Sequence, residues 1–355
     1  MQVDSDLVEN LLWLCSISST TGNEGPICDA LEAFLCRGGP VDFDRRRIGN
    51  SLVIRLNQAS SGPKVCLLGH TDVVPTMHDG PPRIEADRLY GAGASDMKSG
   101  LSLMLGLIER PCASRCPLTL IFYAGEEGPF AENELGRVFD ELPELHSLDV
   151  ALALEPTDNQ LQLGCGGSIQ AHVEFHGRSA HSSRPWQGDN AIYKAIGLLN
   201  RLAQSEPQPR VIEGLTWMKS MSATLIRGGR APNVVPDEVV ININARYAPD
   251  ESTRDIEAAL RELVGPDGTL TLVDVSPPAP PHRHHPLIKA LQDCGIEQVQ
   301  PKLAWTDVAR FAQLGVPAAN FGPGTLSQAH QRNEWTSVPA LAAGDAILRH
   351  WLAGL

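Results

Sequence analysis

An apolar run closes on polar chemistry at residues 65–75, VCLLGHTDVVP, where His70 and Asp72 stand two apart behind Val65–Leu68. In an extended chain alternate side chains share a face, so both groups aim the same way from a strand end. The arrangement recurs. LTLIFYAG (118–125) runs into Glu126 and Glu127, DVALAL (149–154) into Glu155, and PAANFG (317–322) leads through GPGTLSQ to His330. Asp96 sits in the glycine-rich GAGASDMKSG, directly ahead of a helical pattern. Singly, each has an ordinary explanation. A strand-end aspartate is commonly a turn or cap residue, a Glu-Glu pair a solvated loop, and a lone histidine a surface residue. Together they place imidazoles and carboxylates after several independent strands. That mixture suits zinc or a similar divalent ion and is too rich in carboxylates for a structural cysteine site. The histidine-dense HRHH at 282–285 lies in a proline-rich stretch and reads as an adventitious surface metal binder.

The elements that must position these groups follow from periodicity. SLVIRL (51–56), KVCLLG (64–69), LTLIFYAG and DVALAL are apolar runs of strand length. They alternate with helical patterns at 24–36 and 97–110, the latter with Leu101, Met104, Leu105 and Ile108 on one face. Near-continuous apolar strands separated by helices imply a sheet covered on both faces. In such sheets ligands bind outside the carboxyl ends of the strands, where the polar groups above would gather. From about residue 166 the pattern changes. Strands at 169–177, 222–229, 237–249 and 270–275 enclose helices at 189–204, with Asp189 as its N-cap, and 252–265. This β-α-β-β-α-β order is ferredoxin-like. SPPAPPHRHHP (276–286) reads as a stiff return linker, followed by a helix at 286–295, the segment 305–315, a strand at 317–322 and a closing helix after 338. The expected fold is α/β: a catalytic domain of residues 1–165 and 282–355, with a mixed, largely parallel sheet flanked by helices. An α+β domain, residues 166–281, is inserted into it.

Composition narrows the partners. Over 355 residues the net charge is −13, which argues against nucleic acid or an anionic membrane as a main partner. No apolar run reaches the roughly 18 residues of a membrane span. The N-terminal stretch MQVDSDLVENLLWLCSIS carries acids where a signal peptide needs positive charge, so export is not expected. Eight cysteines are scattered without a CxxC pair, which reads as free thiols in a reducing cytoplasm. No GxSxG nucleophile elbow occurs; GCGGS (164–168) does not substitute for one, and no local signature supports Cys165 as a nucleophile.

GHTDVVP, GAGASDMKSG, GEEG, LEPT, GRSAHSSRPWQGDNA and NVVPDE are similar, in order and spacing, to the M20 family of di-zinc amidohydrolases and peptidases. The resemblance spans nearly the whole chain. AHSSRPWQGDNAI, NARYAPD and WTDVARFAQLGVPAANFGPG look most like the succinyl-diaminopimelate desuccinylases of the actinobacterial type. Acetylornithine deacetylases and carboxypeptidase G-like enzymes share the metal motifs. The resemblance implies two zinc ions, with cobalt or manganese as alternatives. His70 and Glu155 would hold one, Glu127 and His330 the other, and Asp96 would bridge them. It further implies that Asp72 supports His70, that Glu126 is the general base, and that His181 stabilises the oxyanion. The inserted domain would then serve as lid and homodimer interface. Arg246, Asn233 and Arg184 are candidate anchors for substrate carboxylates, since arginine binds them bidentately. The expected substrate is a small N-acyl amino acid. A non-catalytic metal- or ligand-binding protein on the same fold is the reading from a different class.

Overall fold

The computed structural model of the chain describes residues 5–36, 43–112 and 116–355. The first four residues of the acidic N-terminal stretch read above lie outside them. The chain divides into two compact units. One comprises Met1–Gly164, Pro281–Pro301 and Thr306–Leu355, the other Cys165–Pro280 and Lys302–Trp305.

The larger unit is built on an eight-stranded sheet. Its strand order is Asp44–Ile48, Ser51–Leu56, Leu118–Tyr123, Val65–His70, Val150–Ala153, Ala318–Asn320, Leu161–Leu163 and Val299–Pro301. Four central strands, Leu118–Tyr123 to Ala318–Asn320, run parallel. The first two strands form an antiparallel hairpin joined antiparallel to Leu118–Tyr123, and Leu161–Leu163 is antiparallel to Ala318–Asn320. Every residue of Val65–His70, Leu118–Tyr123 and Val150–Ala153 is buried, as their unbroken apolar composition requires of strands covered on both faces. The helix Lys98–Glu109 is buried from Lys98 to Ile108, which explains its lack of a polar face. A separate three-stranded sheet joins Trp335–Ser337, Arg88–Tyr90 and Arg83–Glu85.

The smaller unit is an antiparallel sheet in the order Gln208–Ile212, Leu215–Gly228, Glu238–Tyr247, Gly167–His176 and Thr269–Ser276. Without its first edge strand this is the ferredoxin-like order. Helices Ala191–Ala203 and Thr253–Val264 pack through Ala195, Leu198, Ile256 and Leu260 against Val173, Ile241 and Ile243 of the sheet. Alternate residues of Glu238–Tyr247 are buried, so its other face stays open.

Local expectations need three corrections. The edge strand Gln208–Ile212 pairs with an extended Leu215–Gly228 and was not anticipated. Helix Ala191–Ala203 is capped by Asn190, whose side chain accepts the Ile192 N–H, and not by Asp189. Asp189 is spent on an isolated backbone bridge to Arg178 and on an ion pair with Lys194. Its backbone is therefore committed one residue before the helix can begin. The strand read at 317–322 is only Ala318–Asn320: the Phe321 N–H still bonds the Ala153 carbonyl at 2.9 Å, and the Gly322 carbonyl then accepts the Asn159 N–H at 2.9 Å.

All eight cysteines are free thiols. Among the described residues no helix is long and apolar enough to cross a membrane.

Candidate metal centre

His70 ends its strand and is buried. Its Nδ1 lies 3.0 Å from the backbone carbonyl of Asp72, which accepts the ring N–H and leaves Nε2 facing Asp96 Oδ1 at 3.2 Å. The Asp72 carboxylate is farther from that ring, with Oδ1 3.5 Å from Nδ1. Its nearer contacts are backbone N–H groups: Oδ1 accepts from Glu126 at 3.1 Å and Oδ2 from Glu127 at 3.0 Å. Asp72 thus ties the loop carrying the two glutamates to the end of the His70 strand. Burial pushes its pKa up, but His70 and the two backbone donors outweigh this and hold it below the ordinary aspartate value.

Asp96 stands on a loop organised by a residue that the motif reading passed over. The Glu334 carboxylate is buried and accepts the backbone N–H groups of Gly93 at 3.0 Å, Ser95 at 2.7 Å and Asp96 at 2.7 Å. Burial, only partly offset by those donors, raises its pKa to about 7. The only local signal was its position four residues after His330. Lys98, in the first turn of the buried helix, was also missed. Its Nζ donates to the carbonyls of Leu14 and Ile17, and burial lowers its pKa.

His70, Asp96 and Glu127 each offer a ligand atom, all within 4.8 Å of one another. His330 joins them, with Nε2 2.8 Å from Glu127 Oε1 and 3.5 Å from Asp96 Oδ2. It is held at φ +61°, a left-handed conformation that non-glycine residues adopt rarely. Glu155 lies outside the tight trio, buried two residues past the end of the strand next to that of His70. Glu126 is partly buried beside Glu127. Its burial, reinforced by the charges of Glu155 and Glu127 and opposed by His70, raises its pKa well above the ordinary glutamate value. The hydrogen bond that His330 donates to Glu127, with Asp96 nearby, raises the His330 pKa to about 9 against the opposition of burial. At His70 burial is likewise outweighed by Asp72 and Asp96, so its pKa also lies well above 6.5. Without an ion, protons on the two imidazoles answer the crowded carboxylates. Such a donor set, imidazole nitrogens and carboxylate oxygens with no thiolate, fits a divalent zinc, cobalt or manganese ion.

Residues 66–354 match peptidase family M20/M25/M40. The chain belongs to this family. Its curated M20 relatives include a Corynebacterium glutamicum succinyl-diaminopimelate desuccinylase, 36% identical over 96% of this chain and 94% of that protein. A Mycobacterium tuberculosis protein with a provisional succinyl-diaminopimelate desuccinylase (DapE) name is 39% identical over the full length of both. Among solved structures, a Staphylococcus aureus tripeptidase superposes with a TM-score of 0.80 at 20% identity, covering 99% of each chain. A Bacillus subtilis dinuclear metal-binding M20 peptidase does so with 0.72 at 12% identity, covering 98% of this chain and 96% of that one. The M20 fold is therefore shared well beyond recognisable sequence identity, and as an M20 member the chain is a hydrolase of amide bonds.

The remaining expected M20 site residues lie in the smaller unit. His181 is exposed and bridges to Val234, while the Ser182 N–H donates to the Asn233 carbonyl at 2.9 Å. This brings His181 and Asn233 together from distant sequence positions. The Ser183 backbone N–H donates to His181 Nδ1 at 3.1 Å. Nδ1 is thereby an acceptor, and in the neutral ring the proton sits on Nε2. Arg184 follows on the same turn, exposed, with its N–H on the His181 carbonyl. Arg246 stands apart on the open face of the sheet, opposite Ser168 and Ser220 of the adjacent strands. Its Nε donates to Asn244 Oδ1 at 2.9 Å. No ion pair to a carboxylate holds it among the described residues, and burial alone lowers its pKa. A half-buried guanidinium without a carboxylate partner is suited to an anionic ligand.

Proposed function

We propose that the protein is a succinyl-diaminopimelate desuccinylase. It would hydrolyse N-succinyl-L,L-2,6-diaminopimelate to succinate and L,L-diaminopimelate, a step of lysine and diaminopimelate biosynthesis in the cytoplasm. One observation carries the reading. The His70, Asp96 and Glu127 cluster, with the carboxyl of Glu126 adjacent in the chain, occurs in a protein related over nearly its whole length to a desuccinylase of that name.

His70 and Glu155 would hold one ion and Glu127 and His330 another, with Asp96 shared between them. Two divalent ions, zinc or alternatively cobalt or manganese, would supply Lewis acidity toward the scissile carbonyl and acidify the attacking water. Glu126 takes the proton from that water as its oxygen bonds to the carbonyl carbon. It then delivers the proton to the departing amine as the carbon–nitrogen bond breaks. Asp72 keeps Glu126 and Glu127 in register through their backbone N–H groups. His181 offers its Nε2–H to the tetrahedral oxyanion. Arg246 takes a substrate carboxylate, with Asn233 and Arg184 as further anchors.

The smaller unit would also form a homodimer. Beyond Lys219 the outer edge of Leu215–Gly228 has no partner strand among the described residues, and it exposes Leu225 and Ile226. Helix Ala191–Ala203 exposes Ile192, Tyr193 and Ile196. Apolar side chains beside an open strand edge favour pairing with a second copy.

The test is amine release from N-succinyl-L,L-diaminopimelate by zinc-loaded protein, run beside N-acetylornithine. Selective cleavage of the succinyl compound is expected. Selective cleavage of the acetyl compound would overturn the substrate, and metal-loaded protein inert on both would overturn the desuccinylase reading.

A further inference from the structure

The segment WTDVARF (305–311) resembles the desuccinylases yet supplies neither a ligand nor the base of the site described above. Its aspartate is nonetheless fully buried, at 0% exposure. Asp307 Oδ2 accepts the Tyr123 hydroxyl at 2.8 Å and Asn133 Nδ2 at 2.8 Å, while Oδ1 accepts Arg310 Nε at 2.7 Å. Arg310, itself buried, donates to the Phe130 carbonyl and lies 3.8 Å from the centre of the Phe130 ring. Tyr123 ends the strand that leads into one loop, and Phe130 and Asn133 lie within that loop. That loop closes on itself where the Glu134 N–H meets the Ala124 carbonyl at 3.0 Å, and it carries Glu126 and Glu127.

We propose that Asp307 is a positioning residue for the hydrolytic centre, holding the 124–134 loop at Tyr123, Asn133 and, through Arg310, Phe130. The inference rests on the proposed amidohydrolase role of Glu126 and Glu127. Two aspartates then grip that loop. Asp72 takes the N–H groups of the two glutamates themselves, and Asp307 takes the residues that flank them. Stability alone is a poor account of such a group. A buried carboxylate–guanidinium pair typically contributes no more to stability than well-packed apolar residues of similar volume. The partners named above, Tyr123, Phe130 and Asn133, lie on the loop that bears the base and a ligand or directly before it. Positional error at such a loop has an outsized effect, since a shift of about 1 Å can cost roughly 10²-fold in rate.

The experiment compares wild type, Asp307→Asn and Tyr123→Phe as zinc-loaded proteins. Turnover on N-succinyl-L,L-diaminopimelate, zinc affinity by competition with a chromogenic chelator, and melting temperature are each measured. For Asp307→Asn, kcat should fall about 10- to 100-fold with KM changed less than about threefold, and zinc affinity should fall about 10-fold, as is typical when ligand-supporting groups are removed. Tyr123→Phe removes one hydroxyl, so kcat and zinc affinity should fall by a smaller factor, about threefold or more, in protein that folds normally. It decides the matter if Asp307→Asn does not fold. Folded variants with kcat and zinc affinity within about twofold of wild type, whatever their melting temperatures, would reduce Asp307 to a purely structural role and overturn the inference. Wild-type protein that binds zinc without cleaving the substrate would overturn the function instead. The zinc-affinity arm would still decide the role of Asp307.

Discussion

Replacing Gly100 by alanine should damage the metal centre without touching any ligand. Gly100 lies in the buried helix Lys98–Glu109, where a Cβ would fall 2.4 Å from the Leu154 carbonyl oxygen and 2.6 Å from Leu154 Cβ. The oxygen is backbone, so no side-chain rotation relieves the clash. To reach ordinary contact at 3.4 Å the helix and the end of the Val150–Ala153 strand must part by about 1 Å. Glu155 follows Leu154 directly and Asp96 precedes Gly100 by four residues, so the displacement opens the distance between two proposed metal ligands. Alanine favours the helix over glycine by about 1 kcal/mol. Overpacking of this kind costs about 1–3 kcal/mol. The net is between near neutrality and a loss of about 2 kcal/mol, and the melting temperature should drop by a few degrees. Activity should suffer more, by about 10- to 100-fold in kcat/KM. Gly106→Ala is the control on the same helix. Its Cβ would meet Leu7 Cδ2 at 2.6 Å, the tip of a side chain and not backbone. It keeps the helix-propensity gain and should retain wild-type activity. The assay is steady-state turnover with zinc content and thermal melting for both variants. If Gly100→Ala matches Gly106→Ala in kcat/KM within about twofold, the close approach at Gly100 does not set the spacing of the site.

Glu126→Gln should keep its metal by elemental analysis yet lose about 10²–10⁴-fold in turnover, the usual contribution of a general acid–base group; near-normal turnover by metal-loaded mutant would remove Glu126 from that role. In metal-free protein the His330 pKa stands at about 9 against an ordinary 6.5. Stability from its pairing with Glu127 and Asp96 is therefore complete below about 6.5 and lost as pH rises through about 9. The denaturant midpoint of chelator-treated protein should fall between pH 7 and 9.5, values chosen to bracket about that window. Zinc-loaded protein should gain stability between about pH 6 and 8, because metal competes with protons for the imidazoles. A flat metal-free profile would exclude the pairing. In a thiol-reagent titration at about pH 8, the exposed Cys36 should react first. Cys15, Cys28, Cys66, Cys116 and Cys165 should stay silent until denaturant is added, since all five are buried. Burial also pushes the Cys15 thiol up to about 12 and Cys28 to about 11. Rapid reaction of a buried thiol in folded protein would contradict this packing.

Periodicity and strand-end chemistry made His70, Asp96, Glu127 and His330 legible in the sequence. Apolar strands alternating with helices imply parallel neighbours, and parallel strands bring their carboxyl ends to one edge. Short pieces were not legible. Leu161–Leu163, Val299–Pro301 and the Arg83–Glu85 strand hold three residues each, too few to display a period. The cap of helix Ala191–Ala203 was misplaced by one residue because Asp189 and Asn190 are equally good caps. The backbone bridge from Arg178 to Asp189, a tertiary contact, chose between them.

The sequence by itself determined the residue types at the strand ends, the parallel core that gathers them, and the family that uses them. Only the tertiary structure decided how those residues are held. Asp72 grips two backbone N–H groups more closely than it does the His70 ring, Glu334 gathers three around Asp96, and Asp307 reaches the far side of the glutamate loop from 184 residues away in sequence at Tyr123. A ligand can announce itself locally, because its position at the end of a strand has a pattern. A supporting carboxylate has none, because its role is defined by whichever backbone donors the fold happens to bury against it.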